Sequence, residues 1–92
     1  AILNNINGKK IKVDTSNGEI KVNECRGNKV VLDTSNGEIE AYECYANNLK
    51  LDTSNAEITL ENLKDKEFVI DILEVSTSNA SENINAKYNN KK

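Results

Sequence analysis

The sequence predicts an all-β chain wound as a parallel β-solenoid of about four coils, with 19 residues to a coil. Two observations carry this. Asp-Thr-Ser-Asn-Gly-Glu-Ile, or its alanine variant, begins at Asp14, Asp33 and Asp52, always 19 residues apart. A looser copy follows at Ser76-Thr77-Ser78-Asn79-Ala80. A fixed period of this length marks stacked repeats, each touching only its neighbours. Between the motifs, apolar and polar residues alternate, as in Ile11-Lys12-Val13-Asp14 and Glu57-Ile58-Thr59-Leu60-Glu61. Period 2 is the pattern of half-buried strands.

Residues 1–13 read as a partial coil. Leu3 is in phase with Val22, Ala41 and Leu60, Ile6 with Cys25, Cys44 and Leu63, Ile11 with Val30 and Leu49, and Val13 with Leu32 and Leu51. Ala1 is in phase with Ile20, Ile39 and Ile58, and residue 1 is not Met. The expectation is a fragment of a longer solenoid. A first coil bared in this way offers an open strand edge, which favours self-association at that end.

Residues 14–32 and 33–51 are the clearest coils, identical at 11 of 19 positions. The Thr-Ser-Asn-Gly segments supply the corners, since Asn and Gly tolerate positive φ and Ser and Asn bond nearby backbone. Ser16 and Glu19 have the spacing of a helix capping box, but period 2 follows them, so no amphipathic helix starts there.

Residues 52–75 form a longer coil. Leu63 to Leu73 spans ten residues, where Cys25 to Val30 and Cys44 to Leu49 span five. The charged start of the segment 64–71 reads as a protruding loop. Phe68, Ile70 and Ile72 read as one added inward face, with a bend near Ile72 because Leu73 breaks the parity. Residues 76–92 form a terminal partial coil and cap, anchored by Ile84, Ala86 and Tyr88 and frayed over 89–92. At this length, 1–92 is a single domain.

Composition narrows the function. The only aromatics are Tyr42, Tyr45, Phe68 and Tyr88, and there is no Trp or Met. Aliphatic ladders solve the core problem, with roughly twenty inward side chains at about 1.5–3 kcal/mol each before entropy is charged. The net charge is −3 and Arg26 is the lone arginine, so no basic nucleic-acid stripe exists. No apolar run is long enough to span a bilayer as a helix.

Each chemical motif has a structural reading that competes with a functional one. Cys25 and Cys44 fall in the same phase. Parallel neighbours sit about 4.8 Å apart, too far for relaxed disulfide geometry with Cβ atoms about 3.8 Å apart. They read as buried free thiols, with a strained or redox-active disulfide as the alternative. Asp14/Asp33/Asp52, Glu19/Glu38/Glu57 and Glu24/Glu43 stack as acidic ladders, read as outward and solvated. Like charges at that spacing repel by about 0.9 kcal/mol per pair in water, which a divalent cation would relieve. Thr15/Thr34/Thr53/Thr77 and Asn17/Asn36/Asn55/Asn79 read as structural hydrogen-bonded ladders, the threonines facing inward. Asn79-Ala80-Ser81 is a formal glycosylation sequon. With no His, no phosphate loop and no nucleophile elbow, catalysis has little to stand on; an acid pair for glycoside hydrolysis is conceivable from the ladder carboxylates, but the chain lacks the groove-forming loops such enzymes use. The reading assigns no catalytic, cofactor-binding or metal-ligating residue and no cofactor. Tyr42 and Tyr45 are read as partly exposed, the best small recognition patch on the chain.

The reiterated Ser-Asn-Gly-Glu-Ile units at 16–20 and 35–39, with Ala56 for Gly in the third copy and a degenerate fourth at 78–84, resemble the bacterial adhesin-like β-strand-repeat family, an uncharacterised domain common in Firmicutes. The resemblance covers nearly the whole chain. It implies a right-handed β-solenoid in or near the cell envelope or outside the cell, often on a longer chain with a membrane anchor. The expected role is a non-enzymatic structural or binding module of a bacterial envelope protein. The alternative is an accessory domain that binds another envelope or signalling protein; a carbohydrate-active fragment ranks third. Expected partners are an unidentified protein or a cell-surface glycan, with no nucleic acid.

Overall fold

The apolar ladders named by the 19-residue phase determine how the chain winds. A computed structural model describes residues 2–65, 67–78 and 80–92. Its strands are β1 (Ile2–Thr15), β2 (Ile20–Thr34), β3 (Ile39–Asp52), β4 (Ile58–Glu61), β5 (Val69–Ser76), β6 (Glu82–Asn85) and β7 (Lys87–Lys91). Every strand pairing is parallel, and no helix occurs among the described residues. The expected solenoid is present as about five turns. β4 with β5 makes the fourth turn, and β6 with β7 completes the fifth.

Register follows the sequence phase. Val22 pairs with Leu3 and Ala41, Val30 with Ile11 and Leu49, and Leu32 with Val13 and Leu51. Leu49 pairs in turn with Leu73, and Leu51 with Val75. These side chains stack into one core, in which Ile20, Val30, Leu32, Ile39, Leu51, Ile58 and Leu60 are fully buried. Apolar neighbours above and below let each aliphatic side chain lose its water without a wide central volume. At the last turn several ladders end in polar or exposed residues, since Glu82 pairs with Ile58, Tyr88 with Ile70 and Lys91 with Leu73, while the Leu60 ladder continues into Ile84. The residues expected to fray, 89–92, are held instead. β7 pairs with β5, and the Lys92 N–H donates to the Leu73 carbonyl at 2.8 Å. Tyr88 is an exposed member of β7 rather than an anchor, whereas Ile84 and Ala86 do pack on the core.

The corners differ from expectation in their backbone. No described glycine has positive φ. The left-handed positions are Asn5 (φ 54°), Glu24 (63°) and Glu43 (58°), which recur at the coil period. At Gly37 the corner glycine answers a steric demand, since a Cβ there would lie 2.1 Å from the Gly18 carbonyl oxygen, whereas a Cβ on Gly18 would meet nothing nearer than Thr15 Oγ1 at 3.2 Å. Inward threonine hydroxyls bind the same corner, as expected. Thr34 Oγ1 donates to the Gly18 carbonyl and Thr53 Oγ1 to the Gly37 carbonyl, both at 3.0 Å, and Thr77 Oγ1 to the Ala56 carbonyl at 2.8 Å. Outside, Asn36 Nδ2 donates to Asn17 Oδ1 and Asn55 Nδ2 to Asn36 Oδ1, both at 2.7 Å. Such rung-to-rung bonds satisfy corner groups that a smooth strand would leave open.

The fourth turn is irregular. Leu63 does not sit over Cys44; it is 49% exposed. The chain leaves the stack after β4, passes over the Glu43 corner and returns at β5. Ile70 and Leu73 are both buried although three residues apart, so alternation breaks between them; Ile72 is only half-buried. Phe68 packs half-buried against the core.

Candidate functional site

Asn62 is the last residue before the chain departs from the stack, and its side chain takes over the role of a strand. The Cys44 N–H donates to Asn62 Oδ1 at 2.8 Å, and Asn62 Nδ2 donates to the Cys44 carbonyl at 2.9 Å. The segment that follows is fastened to Glu43. Glu43 Oε1 accepts from the Leu63 N–H at 2.6 Å, the Lys64 N–H at 2.9 Å and the Tyr45 hydroxyl at 2.8 Å. Only 9% of Glu43 is exposed, so its place in a solvated acidic ladder is corrected. Burial pushes its carboxyl up, but the Lys64 N–H, the Tyr45 hydroxyl, the Leu63 N–H and the Lys64 ammonium outweigh that and hold it below the ordinary carboxylate value.

Tyr45 is likewise buried, at 5% exposure, and is no surface patch. Its hydroxyl accepts from the Asp65 N–H at 3.0 Å. Its ring meets Phe68 edge to face, with centroids 5.2 Å apart, and Arg26 lies 4.7 Å from its centroid. Burial and the bond to Glu43 raise the phenol pKa. Sequence phase did contain part of this cluster, because Arg26 and Tyr45 are register partners. The contribution of Phe68 came from the insertion, which follows no period.

The thiols of Cys25 and Cys44 are free, adjacent in register and buried. The hydrogen bond between them lowers Cys25, and with burial it pushes Cys44 up. Both are sealed from solvent, so neither is presented as a nucleophile. Asp14, Asp33 and Asp52 stack in register, and Glu19, Glu38 and Glu57 are exposed. No group of three or more His, Cys, Asp or Glu suited to a metal occurs among the described residues. The sequon begins at Asn79, outside the described residues, and so does the Asn79 rung of the amide ladder.

Two recesses flank the fourth turn. One, of about 400 Å³, is lined by Asn4, Asn5, Asn23, Glu24, Tyr42, Glu43 and Lys64. Tyr42 is partly exposed there, as expected. Its phenol pKa is raised by partial burial and then by Glu40, Glu61 and Glu19. Lys64 Nζ forms an ion pair with Glu24 across this recess, which raises the ammonium pKa. The other, of about 310 Å³, lies between the inserted segment and the last turn, with Leu63, Phe68, Ile84 and Ala86 as its apolar members.

The family described as Toastrack DUF4097 matches residues 2–92. No curated protein and no solved structure matches the chain.

Proposed function

This chain belongs to the Toastrack DUF4097 family, and from that premise we propose that it is a non-enzymatic structural or binding module of a bacterial cell-envelope protein, adhesin-like in role. One observation carries the reading: the buried reactive groups are engaged within the stack. The thiols are sealed in the core, Glu43 is held by three donors, and the inward threonine hydroxyls donate to corner carbonyls. What remains for other molecules is a stiff outer surface with shallow recesses, which suits spacing and recognition. The envelope or extracellular setting rests on the resemblance of the corner repeats to adhesin-like domains. Among the described residues β1 pairs with β2 alone, and Ile2 is 72% exposed. Self-association along that edge is therefore part of the proposal, checked by concentration-dependent sedimentation.

A second reading, an accessory domain that binds another envelope or signalling protein, is favoured by the apolar recess around Leu63 and Phe68 and by the exposure of Val69. Immobilised protein, challenged with purified cell-wall glycans and with solubilised envelope proteins, tests both. Glycan retention supports the first reading and capture of an envelope protein the second. Retention of neither class overturns both, and new reducing ends on a glycan overturn the non-enzymatic part.

A further inference from the structure

We propose that the recess around Tyr42 binds a neutral saccharide chain. This rests on the binding-module reading and names its ligand class. The recess holds about 400 Å³, room for one or two sugar rings. Its charged side chains are engaged within the protein, although two carboxylates stand against one ammonium. Glu24 is paired with Lys64, and Glu43 Oε1 is held by Tyr45 and two backbone N–H groups. An anionic ligand would meet that surplus of carboxylates, and a cationic one would compete with Lys64 for Glu24 and with the Tyr45 hydroxyl and two N–H groups for Glu43 Oε1.

The groups left for a ligand are neutral. Asn23 Nδ2 donates to Asn4 Oδ1 at 2.9 Å, which leaves the Asn4 amide with donors and Asn23 Oδ1 with an acceptor. Asn5 adds a third carboxamide at an exposed, left-handed corner. The Tyr42 ring is partly exposed, and no hydrogen bond of its hydroxyl occurs among the described residues. An aromatic ring beside carboxamides with donors and an acceptor to spare matches a pyranose, which has an apolar C–H face and a rim of hydroxyls that both donate and accept. Asn4, Asn23 and Tyr42 are successive register partners, so they form one column along the stack. Its rung spacing of about 4.8 Å is on the scale of one sugar ring. A chain lying along the solenoid axis would then meet an amide, an amide and an aromatic ring in turn.

The test is an NMR titration of the whole chain with neutral tetrasaccharides, cellotetraose and chitotetraose, beside an anionic and a cationic oligosaccharide. Saturable shifts at Asn4, Asn5, Asn23 and Tyr42 with a neutral sugar are expected. Tyr42→Ala should weaken binding by roughly three- to tenfold. Tyr42→Phe should retain most of the affinity, and Tyr88→Ala, on the far turn, should leave it unchanged. Shifts confined to another face, binding of charged sugars alone, or full affinity in Tyr42→Ala overturn the site while leaving the binding-module reading intact. Binding of no sugar in any arm, with capture of an envelope protein in the previous assay, overturns the saccharide assignment and leaves the second reading. Loss of both assays takes the broader reading with it.

Discussion

The Asn62 carboxamide bonds both backbone groups of Cys44, accepting from its N–H at 2.8 Å and donating to its carbonyl at 2.9 Å. One side chain thus replaces the strand pairing that the fourth turn withholds from β3 at this point. Asn62 is 5% exposed, so water is a poor substitute. Replacing Asn62 with Ala orphans a donor and an acceptor, each worth about 1–3 kcal/mol when buried. Asn62→Ala should therefore lose about 2–4 kcal/mol of unfolding free energy. Urea denaturation followed by circular dichroism measures it, and an unchanged midpoint would contradict the strand-substitute role.

Glu43 ties the same segment down by its charge. Its folded pKa lies below the unfolded value of about 4.3. Between the two values the unfolded chain binds more protons, so stability rises with pH there. The contribution is complete above the unfolded value and is lost as pH falls through the folded one. Glu43→Gln should cost about 1–2 kcal/mol at pH 7, because charge-assisted bonds become neutral ones. It should also flatten the acid limb of the stability curve relative to wild type. Glu38→Gln, in the exposed ladder, is the control and should cost little at pH 7. Denaturation midpoints taken from pH 7 down to pH 3 check both statements.

Glu43 and Asn62 also mark how far the letters could be read. Where a feature repeats at the coil period, recurrence became adjacency: the threonine hydroxyls reach the corner carbonyls, the amides of Asn17, Asn36 and Asn55 are linked, and the two cysteines are neighbours. Those positions depend only on the rung above and the rung below. Glu43 shares its phase with Glu24 and so read as solvated, but its burial comes from a segment outside the period crossing over it. Tyr45 read as exposed for the same reason, since Phe68 and the Asp65 N–H come from that segment. Leu63 continued the apolar column by phase. The chain turned out one residue earlier, and an amide took the place. The Tyr42 recess was legible in its aromatic member, which stands on a regular rung, and not in the Glu24–Lys64 pair that closes its rim.

Burial of both thiols gives a prediction about reactivity. Cys25 and Cys44 are at most 1% exposed, so a thiol reagent reaches them only when the stack opens. The native protein should show essentially no thiol titre with Ellman's reagent at pH 7.5, and the protein in denaturant should show both cysteines. Cys44→Ser should lower stability by about 1–3 kcal/mol, because it places a hydroxyl among aliphatic side chains. Rapid labelling of the native protein, or a spontaneous intramolecular disulfide in air, would contradict the sealed arrangement.

Two glycines separate close approach from conformational freedom. A Cβ on Gly37 would stand 2.1 Å from the Gly18 carbonyl oxygen and 2.8 Å from the Glu19 nitrogen, so backbone would have to move. A Cβ on Gly8 would meet nothing nearer than Ile11 Cγ1 at 3.7 Å, and Gly8 is exposed in β1 without positive φ. The same substitution should therefore act with opposite sign at the two positions. Gly8→Ala should be neutral or stabilising, by up to about 1 kcal/mol, since it narrows the unfolded ensemble without strain. Gly37→Ala should destabilise by about 1–3 kcal/mol, the usual cost of forcing atoms into filled space. The rungs of Gly18 and Gly37 then have to spread, which loosens the bond from Thr34 Oγ1 to the Gly18 carbonyl. Paired thermal melts, with amide exchange at Ser35 and Asn36, whose N–H groups donate to the Ser16 carbonyl across the same gap, distinguish these outcomes. Equal effects at Gly8 and Gly37 would mean that the corner glycine is kept for backbone freedom, against the negative φ it adopts.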